Sequence, residues 1–126
     1  MDVRAEPVIR ISIRPQGSDA ALQETARQAE VAVRVAQGLQ RFQLAHVFDV
    51  IRTLVLAESD HSSTVARSLG HVAITADAQD RDDAILITDA LARPSGASAE
   101  TADVWRQIRA GLKAERRSAQ RGEGDR

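Results

Sequence analysis

The chain has 126 residues and a formal net charge of −1, from 17 basic and 18 acidic residues. It contains no cysteine, which excludes disulfides, zinc–thiolate sites, iron–sulfur clusters and thiol nucleophiles. No apolar run approaches the roughly 20 residues of a membrane span, and residues 1–7 lack the apolar core of a secretory signal, so we expect a cytoplasmic protein without a membrane segment.

Large apolar side chains are scarce. Alanine supplies 22 of the 54 apolar residues, and the aromatic residues are Phe42, Phe48 and Trp105. A domain of this size buries roughly two-thirds of its unfolded surface, so small side chains leave a thin core. Such a chain gains burial by packing helices of two or more copies, and we therefore expect a homo-oligomer. Arginine makes up 16 of the 17 basic residues, which is typical of bacterial base composition.

The first predicted element is a strand at residues 8–14. β-branched and polar residues alternate there, with Ile9, Ile11 and Ile13 on one face and Arg10, Ser12 and Arg14 on the other. Strict alternation predicts a half-buried strand, which Pro15 ends. A strand needs partners for its backbone hydrogen-bonding groups, so it pairs either with a later strand or with a second copy.

Two helices are predicted next. Ser18 or Asp19 caps the first, which reaches about Gln37, although residues 31–35 also alternate like a strand. Gly38 marks either a turn or a weak point in one longer helix. A clean apolar stripe then predicts the core helix: Leu44, Val47, Phe48, Ile51, Leu54 and Val55.

The second half is harder to assign. A polar connection at residues 58–63 leads to a short predicted helix at 64–69. Residues 72–75 and 84–91 are either the two strands of a hairpin or a strand followed by a helix with aspartates at its N-terminus, and we favour the helix. Ser98 is predicted to cap a final helix with a stripe at Val104, Trp105, Ile108 and Leu112. We expect one domain over residues 1–117 and a disordered tail over 118–126.

Charge is unevenly distributed along the chain. Residues 56–103 carry 3 basic and 9 acidic groups, whereas residues 104–126 carry 7 and 3. The acidic middle and the basic C-terminal helix are therefore potential contact surfaces, either for another copy or for another protein.

No residue pattern predicts catalysis, a metal site or a cofactor. His46, His61 and His71 are separated by 15 and 10 residues, which does not place two ligands on one helical face. The aspartates at 77, 80, 82 and 83 lack the glycine and glutamate of a calcium loop. Residues 59–63 contain serine, aspartate and histidine, but on a polar turn where they do not converge. No glycine-rich phosphate loop is present.

A strand with outward polar residues, followed by two helices separated by glycine, resembles a ribbon-helix-helix repressor over residues 8–57. In that family two strands pair across a dimer and enter the major groove, so the resemblance implies base contacts from Arg10, Ser12 and Arg14. The first helix is about two turns longer than in the family, and residues 1–55 are nearly neutral, which disfavours phosphate binding. Residues 64–70 also resemble the start of a helix-turn-helix, but acidic residues follow.

These observations predict an α+β, mainly helical domain with a short N-terminal strand and three to five helices. We expect a non-catalytic assembly protein that associates with itself through the strand and the alanine-rich helices. The predicted interface residues are Ile9, Ile11, Ile13, Val33, Val47, Phe48, Ile51 and Leu54. The alternative is a DNA-binding regulator of the ribbon-helix-helix type.

Overall fold

A computed structural model of the chain describes residues 8–60, 72–93 and 99–124. The elements in chain order are β1 (Val8–Ile11), α1 (Asp19–Gly38), α2 (Phe42–Asp60), β2 (Val72–Thr75), α3 (Ala78–Leu91) and α4 (Ala99–Gly124). The predicted α+β, mainly helical class is confirmed. The short helix predicted at 64–69 lies outside the described residues.

The strand β1 finds its partner inside the chain. It pairs antiparallel with β2, and Ile9 lies opposite Ile74 in the register. Of the two partners that the sequence allowed for this strand, the structure shows the later strand. Residues 84–91 are helical and belong to α3, so they do not form a hairpin with β2.

The helices α1 and α2 form an antiparallel pair joined by three residues. Ser18 caps α1, and its side chain accepts a hydrogen bond of 3.2 Å from the amide of Ala21. At the other end of the pair, the amide side chain of Gln23 near the start of α1 donates to the hydroxyl of Ser59 near the end of α2. Residues 31–35 are helical, so the strand that the sequence allowed there as an alternative does not form.

The turn between α1 and α2 uses a glutamine where glycine is the usual residue. The amide of Arg41 donates to the carbonyl of Ala36, and the amide of Gln40 to that of Gln37, which is the Schellman pattern of helix termination. Gln40 occupies the left-handed position with a φ of 59°. Gly38, which the sequence marked as either a turn or a weak point in one longer helix, is the last residue of α1.

We predict that Gln40→Gly stabilises the protein. A residue with a side chain costs about 1 kcal/mol or more in the left-handed conformation, and glycine avoids that cost. The free energy of unfolding, measured by urea titration, is expected to rise by about 1 kcal/mol after allowance for the greater freedom of glycine in the unfolded chain. Gln43→Gly, in the first turn of α2, is the matched control and is expected to lower the free energy of unfolding.

One apolar core joins the helices to the inner face of the sheet. Its largest fully buried members are Trp105, Phe48, Ile11, Ile51 and Ile108. Trp105 of α4 packs beneath α1, where its indole Nε1 donates a 2.6 Å hydrogen bond to Oε1 of Gln28. The core therefore depends on a few bulky side chains among many alanines.

Helix α4 runs antiparallel to the N-terminal segment. The side-chain amide of Gln107 both accepts from the amide of Gln16 and donates to its carbonyl, each at 2.8 Å. One helical turn later, Gly111 lies directly against Ser12 and Ile13. Beyond Arg117, where the sequence predicted a disordered tail, α4 continues to Gly124.

The acidic middle of the chain pairs with its basic end within one molecule. On α3, Asp89 lies 3.2 Å from Arg109 and 3.8 Å from Lys113, and Asp82 lies 3.6 Å from Arg116. The opposite charges that suggested a contact with another copy or another protein thus form ion pairs between α3 and α4 of the same chain. Within the described ranges, no helix is both long and apolar enough to cross a membrane.

Candidate interaction surface

Most of the predicted interface residues lie in the core of the single chain. The buried ones are Ile9, Ile11, Ile13, Val47, Phe48, Ile51 and Leu54. Val33 is half-buried beside that core. The sequence assigned this burial to contacts between copies. In the structure, β2 and the helices of the same chain contact these residues.

The exposed side of β1 and of the three residues after it carries the residues that the repressor resemblance singled out. Arg10, Ser12 and Arg14 are exposed, while the isoleucines between them are buried. However, β1 pairs with β2 of its own chain, and α4 packs beside it at Ser12. This arrangement replaces the ribbon between two copies that the resemblance implies. The segment 64–70 of the second resemblance lies outside the described residues.

A cluster of exposed apolar residues lies where α1 meets α2. Six large apolar side chains are mostly exposed among the described residues, and four of them fall in this corner. Their exposed fractions are 52% for Val31, 57% for Val35, 67% for Leu39 and 66% for Phe42. We call these four residues the corner patch.

The helical repeat explains why three members of the corner patch are exposed. Val31, Val35 and Leu39 follow each other at intervals of four, which places them along one side of α1. The seam that α1 buries consists of small residues instead, such as Ala29 and Ala36. In the sequence, the valines of residues 31–35 suggested only a strand alternative and did not predict an exposed surface.

Ion pairs of Arg41 hold the turn between α1 and α2 against α3. The guanidinium of Arg41 lies 2.9 Å from the buried carboxylate of Asp80 and 2.8 Å from that of Asp83. The hydrogen bond from Arg41 holds the pKa of Asp83 below its usual value, and the two carboxylates raise the pKa of Arg41. The corner patch therefore adjoins a turn, between α1 and α2, that these ion pairs fix to α3.

The aspartates at the start of α3 act as a helix cap. Asp77 accepts from the amide of Asp80 at 2.9 Å, and the carboxylate of Asp80 accepts from the amide of Asp77 at 3.3 Å. The backbone amide of Asp80 is the main cause of the lowered pKa of Asp77. This reciprocal capping box accounts for both side chains, in agreement with the predicted acidic cap.

Phe42 separates two open grooves. One, of about 300 Å³, runs along the α1–α2 pair between Val33 and Asp49, with exposed His46 on its wall. The other, of about 440 Å³, is lined by Gln40, Gln43 and the start of α3. Phe42 thus forms a ridge with a groove on either side, and this shape is suited to contact with another surface.

The flanks of the patch carry paired charges. Arg34 lies 2.9 Å from Glu30, and Arg27 pairs with Glu24 one turn before. The hydrogen bond from Arg27 lowers the pKa of Glu24. Each pair lies within α1, so the patch is bordered by both signs of charge and not by a field of one sign.

The other candidate groups do not come together. In the described part of the chain, no group of three histidine or acidic side chains is arranged to hold a metal ion. His61 and His71 lie outside the described residues, as does most of segment 59–63.

No protein-family model, curated protein or solved structure matches this chain.

Proposed function

We propose that this protein is a non-catalytic cytoplasmic assembly module that associates with a second copy through the corner patch. The observation that carries the proposal is the concentration of exposed large apolar side chains at one end of the α1–α2 pair. Burial of such side chains is the main driving force for association of protein surfaces. The proposal keeps the self-association predicted from the sequence and moves it to a different surface.

The size of the corner patch supports a specific contact. Side chains of these types at these exposures present on the order of 400 Å² of apolar surface, which is the size range of the largest and often functional patch on a monomer. A standard interface buries roughly 800 Å² on each partner. The corner patch therefore supplies about half of one side, and the groove walls and paired charges around it supply a polar rim.

The charge pattern favours a second copy over a partner of opposite charge. An acidic or basic partner would require a face of one sign, whereas Glu30 and Arg34 already neutralise each other beside the patch. In a symmetric dimer the same patch serves both copies, so the contact needs no second type of surface. The three residues spaced by four on α1 form the kind of ridge that packs across its own copy at about −50°.

Replacing Val35 by Arg is expected to abolish association. The substitution places a charge in the centre of the proposed contact, where it would be buried without a partner. We expect the wild-type chain to have the mass of two copies in light scattering at tens of micromolar, and Val35→Arg to weaken the association by at least about 100-fold. As a surface change, it is expected to alter the stability of the monomer by less than about 0.5 kcal/mol.

Leu86→Arg provides the matched control. Leu86 is 65% exposed on α3 and does not belong to the corner patch, so this variant should retain the wild-type mass. The proposal would be contradicted if the wild-type chain were monomeric at high concentration. It would also be contradicted if Val35→Arg and Leu86→Arg both reduced the light-scattering mass to that of one copy. A monomer that binds duplex DNA in a salt-sensitive way, through Arg10 and Arg14, would instead favour the regulator alternative.

A further inference from the structure

The two halves of α4 are attached to the fold in different ways. The first half places Trp105, Ile108 and Leu112 in the core, where they are fully or almost fully buried. We call residues 113–124 of this helix the distal segment. Among its described side chains, those of residues 113–119, none is buried. Apolar burial therefore anchors α4 as far as Leu112 and does not continue into the described part of the distal segment.

The distal segment contacts α3 through ion pairs. The Nζ of Lys113 lies 3.8 Å from the carboxylate of Asp89, and the guanidinium of Arg116 lies 3.6 Å from that of Asp82. Both distances are longer than a hydrogen bond, and all four side chains are partly exposed to water. Ion pairs of this kind stabilise a contact weakly, and salt screens them.

The contact at Asp82 also contains two buried polar atoms without a hydrogen bond. These atoms are Nε of Arg81 and Oδ1 of Asp82, in the part of the chain that the structure describes. Oδ1 lies 3.9 Å from Arg81 and 3.6 Å from Arg116, so a single carboxylate oxygen faces two guanidinium groups. Burial of an unsatisfied polar group opposes the arrangement that buries it. Weak charge pairs thus favour docking of the distal segment, and desolvation at Asp82 opposes it.

We infer that the distal segment is an arm that docks reversibly on α3, held there by charge and released when salt screens that charge. The first half of α4 stays in place in both states, because its buried side chains do not depend on ion pairs. Release frees the carboxylate of Asp82 and the cations of Lys113 and Arg116. Asp89 keeps its 3.2 Å contact with Arg109, which belongs to the anchored half. The inference does not depend on the proposed self-association, which uses a different surface.

The test is a distance measurement between two spin labels. The chain has no cysteine, so introduced cysteines are labelled specifically. The labels are placed at Ala78→Cys, at the exposed start of α3, and at Ser118→Cys, which is exposed on the distal segment. A Val35→Arg background keeps the chain monomeric, so that every distance is measured within one copy.

Salt is expected to broaden the distance distribution of this label pair. The Debye length falls from about 10 Å at 0.1 M to about 3 Å at 1 M ionic strength, which is shorter than the distances of the distal ion pairs. Electron paramagnetic resonance should therefore show one narrow distance in dilute salt. In about 1 M NaCl the broad component of the released arm should increase about fivefold or more.

The matched control replaces the label at Ser118 by one at Ala110→Cys. Ala110 is exposed on the anchored half of α4, so its distance from the label at Ala78 should stay narrow at every salt concentration. Broadening of both label pairs together would overturn the inference, because the anchored half would then move as well. An unchanged distance between Ala78 and Ser118 in 1 M NaCl would also overturn it.

A charge variant tests the latch without added salt. Asp82→Asn should release the arm already at about 0.1 M NaCl, because Arg81 and Arg116 then repel each other without a carboxylate between them. Asp103→Asn removes an aspartate whose ion pair lies within α4, so this control should leave the arm docked. A narrow, unchanged distance in Asp82→Asn would contradict the inference.

Discussion

Replacing Trp105 by alanine is expected to lower the free energy of unfolding by about 3–5 kcal/mol. Trp105 is the largest fully buried side chain in the described structure, and it fills the space between α4 and α1. Alanine leaves a cavity that the surrounding helices close only in part. Because domains of this kind are stable by only about 5–15 kcal/mol, this single change removes at least about a fifth of the total.

The measurement is chemical denaturation followed by circular dichroism. Trp105 is the only tryptophan in the chain and tyrosine is absent, so fluorescence cannot report on the variant. Leu86→Ala truncates an exposed side chain and is expected to cost less than about 0.5 kcal/mol. The loss of unfolding free energy for Trp105→Phe should lie between those for Trp105→Ala and Leu86→Ala. Phenylalanine keeps most of the buried ring but loses the hydrogen bond to Gln28. A loss below about 1 kcal/mol for Trp105→Ala would mean that this residue does not anchor the core.

The periodic parts of the fold were predictable because burial imposes a repeat on the sequence. Alternating isoleucines identified β1, and the stripe that includes Phe48 and Ile51 identified α2. These signals report which face of an element is buried. They do not report what covers that face, which is why the isoleucines were assigned to a second copy when β2 and the helices of the same chain cover them.

The unpredicted parts depend on contacts between residues distant in sequence. Residues 72–75 were predicted as a strand, but nothing local in them indicates that they pair with β1. The sequence also places glycine at position 38, which suggests a turn there, whereas the left-handed residue is Gln40. The corner patch was not predicted for a related reason, since the valines of residues 31–35 alternate and were interpreted only as a strand alternative.

A thin core and an exposed patch have a common origin in this chain. The alanine seam lets α1 pack closely against its neighbours, but it buries little surface per residue. Val31 and Val35 of α1 and Leu39 directly after it are large apolar residues that lie outside that seam. Association through them would add the apolar burial that the alanines do not provide, at the end of the α1–α2 pair.

Gly111→Ala is expected to destabilise the protein by about 2 kcal/mol, although the same change favours an isolated helix. The new methyl would lie 2.7 Å from Cγ2 of Ile13 and 3.0 Å from the carbonyl oxygen of Ser12. Overpacking of this kind costs about 1–3 kcal/mol, and the improved helix propensity returns only part of it. Gly111→Val, with two further methyl groups, should cost more.

A contrast with Gly38 makes this prediction specific. Both glycines are helical, so alanine brings a similar propensity gain at each, but a Cβ atom added to Gly38 would meet no atom within 4 Å. Denaturation in the monomeric Val35→Arg background should therefore show a loss for Gly111→Ala and a gain for Gly38→Ala. If both variants gained stability, α4 would not approach Ser12 and Ile13 as closely as the structure shows. The sign of one methyl substitution in α4 thus tests how closely this helix packs against the segment that follows β1.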